Sequence, residues 1–184
     1  ERRQLTKHYT ANVEAYQLYL KGRYYWAKRS PEWMQKAIAA FEQAARLDPN
    51  YALAYAGLAD SYALTASGLP PNERMPKAKA AAERALGGDA GLAETHTSLA
   101  FILYKYEWNW LEAENHFRRA IQLNPNYAVA HHWFGECLAL MGRFAEGLAE
   151  LKASERLDPL SLSIKNDIGP ALYRARRYDE ASAQ

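Results

Sequence analysis

Residues 113–159 contain one pattern and its copy. Ala113, Phe117, Ala120 and Pro125 stand at spacings of 4, 3 and 5. Thirty-four residues later, Gly147, Leu151, Ser154 and Pro159 repeat the spacings and the small, large, small, proline order. A 34-residue period of this kind predicts helix, tight turn, helix and a proline stop. A lone helix pair leaves one apolar face in water, so such units stack and share a core. The chain is therefore built to hold something, and we expect no catalysis of its own.

The period extends in both directions. Asn12 is the expected N-cap of a first helix running from Ala15, with Glu14 near its positive end. Ser30-Pro31 marks a restart. Helix B of unit 1 carries Ala37, Phe41 and Ala44, and three extra residues predict a longer turn around Pro31 and Trp33. Unit 2 has Leu58, Ala59 and Tyr62, then a proline-rich loop at 67–76, before helix B resumes with Ala78, Ala82 and Ala85. GGDAG at 87–91 replaces the proline stop, and we expect a glycine C-cap there rather than a phosphate loop. In unit 3, Asn109 and Glu112 form a capping-box-like start. The expected units are 15–50, 51–92, 93–126, 127–161 and a partial 162–184, about nine to ten helices. Residues 1–14 read as a linker or the end of a leading helix. The chain lacks a starting methionine and stops in mid-pattern, so we expect it to be cut from a longer protein.

Composition narrows the partners. A net charge of +2 favours neither nucleic acid nor a membrane surface. No apolar run approaches the roughly 18 residues of a spanning helix. A single cysteine, Cys137, excludes an internal disulfide framework and fits a cytoplasmic location. Adjacent His131 and His132 point about 100° apart on a helix and make a poor metal pair. His96 and His131 share a register and could approach each other. We expect no metal and no cofactor.

These residues resemble the tetratricopeptide repeat family. The matches are Lys21-Gly22 with Tyr25, Leu58-Ala59 with Tyr62, Leu99-Ala100 with Leu103, Phe134-Gly135 with Leu138, and Ile168-Gly169 with Leu172. The resemblance implies an all-α fold, a right-handed α-solenoid of antiparallel helix pairs, with a concave groove lined by the first helix of each pair. Small residues in mid helix A would let helix B approach, and the helix-B aromatic would fill the gap between units. The stretch LTKHYTANVEAYQLYLKGRYYWAKRSPE is also similar to the start of repeat tails in some bacterial signalling and transcriptional regulators.

The family register implies groove positions at Tyr16, Tyr19, Arg23, Trp26, Asp60, Glu94, Phe101, Tyr104, His132, Glu136, Asn166 and Tyr173. Aromatics among charged residues suit an extended peptide or a partner helix. One subfamily clamps a C-terminal carboxylate with Lys and Asn. Tyr19 and Arg23 stand there in this chain, so that clamp is not expected. The expected function is a protein–protein interaction module within a larger bacterial regulatory protein. The alternatives are self-association as a homodimer through the open C-terminal end, and small-ligand sensing in an aromatic pocket near Trp26 and Phe101.

Overall fold

A computed structural model describes residues 10–64 and 68–183. Ten α-helices follow one another among the described residues, and no strand occurs there. They are α1 (Val13–Ala27), α2 (Pro31–Leu47), α3 (Ala52–Ala63), α4 (Pro71–Gly88), α5 (Ala93–Ile102), α6 (Trp110–Leu123), α7 (Ala128–Leu140), α8 (Phe144–Leu157), α9 (Leu162–Arg174) and α10 (Tyr178–Ala183). Each odd-numbered helix packs on the even one after it, and the odd-numbered helices pack on one another from unit to unit. The result is a right-handed α-solenoid. Of the expected linker at 1–14, residues 1–9 lie outside the described residues, and Val13 and Glu14 already belong to α1.

Helix ends follow side-chain chemistry. Asn12 caps α1 by accepting from the Ala15 N–H at 3.0 Å. Asn109 caps α6 by accepting from Glu112 N–H and donates to its carboxylate. Ser30 is the N-cap of α2 but makes no side-chain cap bond. A repeated device closes three of the even-numbered helices. Asp48, Asp89 and Asn124 sit in extended conformation just past α2, α4 and α6. Each turns the chain by accepting, through its side-chain oxygen, from the N–H two residues on. Asp89 thus replaces the glycine cap expected in GGDAG: Gly87 and Gly88 are the last residues of α4 and have no left-handed backbone.

The turns inside units use the left-handed conformation. Gly142 takes it with φ +80°, while Arg29, Trp108 and Arg176 take it at the equivalent turns without glycine. Backbone bonds from Arg143 N–H to Leu138 O and from Arg177 N–H to Leu172 O seal two of these ends.

Two loop expectations are corrected. The three extra residues of unit 1 do not lengthen the turn, which is three residues, as in unit 4. They add a turn to α2, because Pro31 at the first helical position starts the helix early. In unit 2, residues 71–76 are helical rather than loop, and Pro76 lies inside α4. Buried Arg74 explains this. It donates to the carbonyls of Tyr62 and Ala63, ending α3, while Met75 enters the core beside it.

The packing reason for the repeat pattern is direct. A Cβ on Gly22 or on Gly57 would come within 2.5 Å of Phe41 Cε1. The Phe41 ring therefore lies against two successive A helices and joins units 1 and 2. Phe117 repeats the role, with its ring 5.5 Å from Phe134 and 5.9 Å from Tyr104. In unit 4 the helices touch backbone to backbone: a Cβ on Gly135 would meet Gly147 O at 2.8 Å, and one on Gly147 would meet Gly135 O at 2.7 Å. Gly147 in place of Ala is thus the partner of a close crossing.

Candidate functional site

The A helices, with the π-helical turn Leu103–Glu107 after α5 that holds Tyr104, carry the predicted groove residues, and the structure brings eight of them into one network. Arg23 on α1 pairs with Asp60 on α3 at 3.2 Å, and Asp60 accepts from Ser98 Oγ at 2.6 Å. Burial pushes the Asp60 carboxyl up to about 6, although Arg23 and Ser98 oppose the shift. Burial works against the Arg23 charge too, but its neighbours Tyr127, Tyr19 and Asp60 outweigh it. Tyr19 packs 5.5 Å from Tyr51, and burial lifts its hydroxyl to about 12. Trp26 meets Trp133 edge-on at 6.2 Å, and Phe101 lies 4.3 Å from the same indole. Tyr104 donates to Glu136 at 3.1 Å, and His132 Nε2 is 2.7 Å from Asp167 Oδ2.

The network is largely interior. Trp26, Asp60, Phe101, Tyr104 and His132 are buried. The contact between Trp26 of unit 1 and Trp133 of unit 4 carries the first A helix onto the fourth, so these side chains face each other across the inner curve. Tyr16, Asn166 and Tyr173 are exposed, and Glu94 is half-buried. Tyr173 stands apart from the network, stacked edge-on with Tyr178 at 5.3 Å. It borders a separate cavity of about 640 Å³ between α9 and α10.

An open cavity of about 450 Å³ lies where the end of α1 faces α7 and the start of α9. Three predicted residues, Trp26, His132 and Asn166, line it. Lys28, Arg29, Leu160 and Leu162 line it too and were not singled out by the sequence. Leu160 is 87% exposed and Leu162 74%, unusual for leucine and suited to a contact surface.

The histidines have separate tasks. His96 pairs with His116 at 2.8 Å rather than approaching His131. His96 and His131 each bond through Nε2 to the carbonyl six residues back, Ala90 and Pro125. His131 Nδ1 meets Glu150 at 2.6 Å, and this bond raises its pKa. Burial lowers the pKa of His96 and His116. Ligand atoms of His132, Glu136 and Asp167 lie within 4.8 Å of one another, a spacing a cation could use. They are already satisfied, since His132 holds Asp167 while Tyr104 and Lys105 hold Glu136. Cys137 is buried, and burial lifts its thiol to about 12, so it is no nucleophile.

Residues 18–51 and 109–163 match family models of the tetratricopeptide repeat. Tetratricopeptide repeats are thus found in these two segments. Its structure resembles YrrB, described as a tetratricopeptide protein with an unusual peptide-binding site, at TM-score 0.52 and 27% identity, over 80% of this chain and 72% of that one. It also resembles PilF of Pseudomonas aeruginosa at TM-score 0.62 and 21% identity, over 92% of this chain and 72% of that one. In sequence it is 27% identical to superkiller protein 3 of Schizosaccharomyces pombe, over 80% of this chain and 13% of that protein's length. The chain thus spans about 13% of this curated relative. Tetratricopeptide proteins generally mediate protein–protein interactions. No helix among the described residues is long and apolar enough to cross a membrane.

Proposed function

We propose that the protein is a non-catalytic interaction module that takes a peptide or the edge of a partner domain on its inner face. It serves as the docking part of a larger bacterial regulatory protein in the cytoplasm. The observation that carries this reading is the 450 Å³ cavity, walled by three A helices and rimmed by two leucines that little else covers. The buried aromatic network behind it supplies a rigid wall, which lowers the ordering cost of binding. YrrB's peptide-binding site supports the same use of these repeats here.

The test uses surface residues, since truncating Trp26 or Phe101 would hollow the core. Binding of fluorescent heptapeptides from an array is compared for the native chain, a Leu160→Ser/Leu162→Ser variant and a Leu111→Ser variant. Leu111 is also 74% exposed, on α6 and outside the cavity. The rim variant should bind roughly tenfold more weakly, and Leu111→Ser should bind as the native chain does. Equal loss in both variants, or none in either, would move the site off this cavity.

A second reading, self-association, rests on Tyr173 and Tyr178. Both are exposed and stand at the C-terminal end of the solenoid beside the 640 Å³ cavity. Light scattering that shows a monomer at every concentration removes it.

A further inference from the structure

Two guanidinium groups approach the Trp26 indole, and they differ in one respect. Arg23, 4.4 Å from the ring centroid, is neutralised by Asp60. The Arg29 guanidinium, 3.5 Å from the centroid, makes no side-chain hydrogen bond and no ion pair among the described residues, although the Asp60 and Asp167 carboxylates are near enough to favour its charge. It is half-buried in the cavity wall beside Lys28. Burial lowers its pKa to about 10, which still leaves it charged at neutral pH. Asp158 also borders the cavity but forms no ion pair with it. A guanidinium carries five donors in a planar fork, and stacking on an indole fixes that plane without using any of them.

The backbone adds a second point. Arg29 has φ +56°, the position at which unit 4 uses Gly142. A side chain there costs about 1 kcal/mol against glycine. The turn itself therefore does not call for arginine.

The geometry points to a carboxylate subsite in this cavity: Arg29, laid on Trp26, takes the side-chain carboxylate of an Asp or Glu within a bound peptide. The volume far exceeds one carboxylate, and Val129, Leu160 and Leu162 continue the wall as apolar surface. The acidic residue is therefore flanked by apolar ones, and the charge of the ligand complements Lys28 and Arg29. This inference rests on the peptide-binding reading above and names the chemistry of the ligand.

An array of capped heptapeptides tests it, with apolar flanks varied and the central residue either Glu or Gln. A third set carries Gln and a free C-terminal carboxylate. The proteins are the native chain, Arg29→Lys and Arg29→Gly. The glycine variant relieves the left-handed residue, so its thermal midpoint reports that it is folded. Expected are Glu-centred peptides binding about tenfold tighter than their Gln twins, a preference weakened by Arg29→Lys and erased by Arg29→Gly. Equal binding of Glu and Gln peptides overturns the carboxylate subsite and leaves the peptide reading standing. Binding confined to the free-carboxylate set overturns the side-chain source. No binding by any set overturns both readings.

Discussion

Replacing Gly135 with Ala tests how these units pack. In an exposed helix interior, Gly→Ala gains about 1 kcal/mol from backbone entropy. At Gly135 the new methyl would meet Gly147 O at 2.8 Å, Leu151 N at 3.0 Å and Leu151 Cγ at 2.7 Å. Two of these three atoms are backbone, so no rotamer change relieves them. Overpacking of this kind costs about 1–3 kcal/mol, and the upper part applies where helices must separate. The net expectation is a loss of about 1–2 kcal/mol, or a fall of roughly 2–8 °C in Tm for a chain of this size. Gly87→Ala is the control, because a Cβ there meets nothing within 4 Å and the residue lies in the last turn of α4. It should gain up to about 1 kcal/mol. Urea unfolding of both variants gives the numbers, and hydrogen exchange should show the Gly135→Ala loss centred on α7 and α8. A Gly135→Ala protein as stable as Gly87→Ala would refute the close-crossing argument.

Trp108 is 74% exposed with φ +59°, so Trp108→Gly should raise stability by about 1 kcal/mol, read as a higher Tm. Asp60→Ala leaves the Arg23 charge without its partner in a mostly buried site and should cost about 3 kcal/mol by urea unfolding. Because His131 has a raised pKa in the fold, its bond to Glu150 adds stability that is fully present below its unfolded pKa. That contribution should fade as pH rises through the folded pKa. Glu150→Gln should flatten this part of the stability–pH curve, and an unchanged slope would assign the effect elsewhere.

Much of the fold was legible because the small-residue positions recur at fixed spacing. Gly22, Gly135 and Phe41 behave as the periodicity implies, since sterics between neighbouring helices act at short range. The corrections arose where a local signal has two physical outcomes. Pro31 and Pro71 can follow a loop or open a helix, and both open one. In unit 2 the deciding group was Arg74, whose bonds to Tyr62 and Ala63 depend on tertiary placement. GGDAG drew attention to its glycines, while Asp89 does the turning, a role visible in hindsight from Asp48 and Asn124. For the site, register put Arg23, Trp26, Asp60 and Phe101 among the groove positions; the structure sets Arg23 against Asp60 and brings Trp26 and Phe101 together against Trp133. It could not show that the curve brings unit 1 against unit 4, which buries those aromatics. Nor could it single out Arg29 and Leu160, which sit in turns, or Leu162, the first residue of α9; they become neighbours only through that curvature.

The most direct test of the inner-face reading is site-specific photocrosslinking in cells of the source organism. A benzophenone amino acid is placed at Leu160 on the cavity rim, and in a second protein at Leu111 on α6. The account predicts a crosslinked protein partner from position 160, lost in an Arg29→Gly background, and none from position 111. A partner captured from position 111 but not from 160 would contradict it.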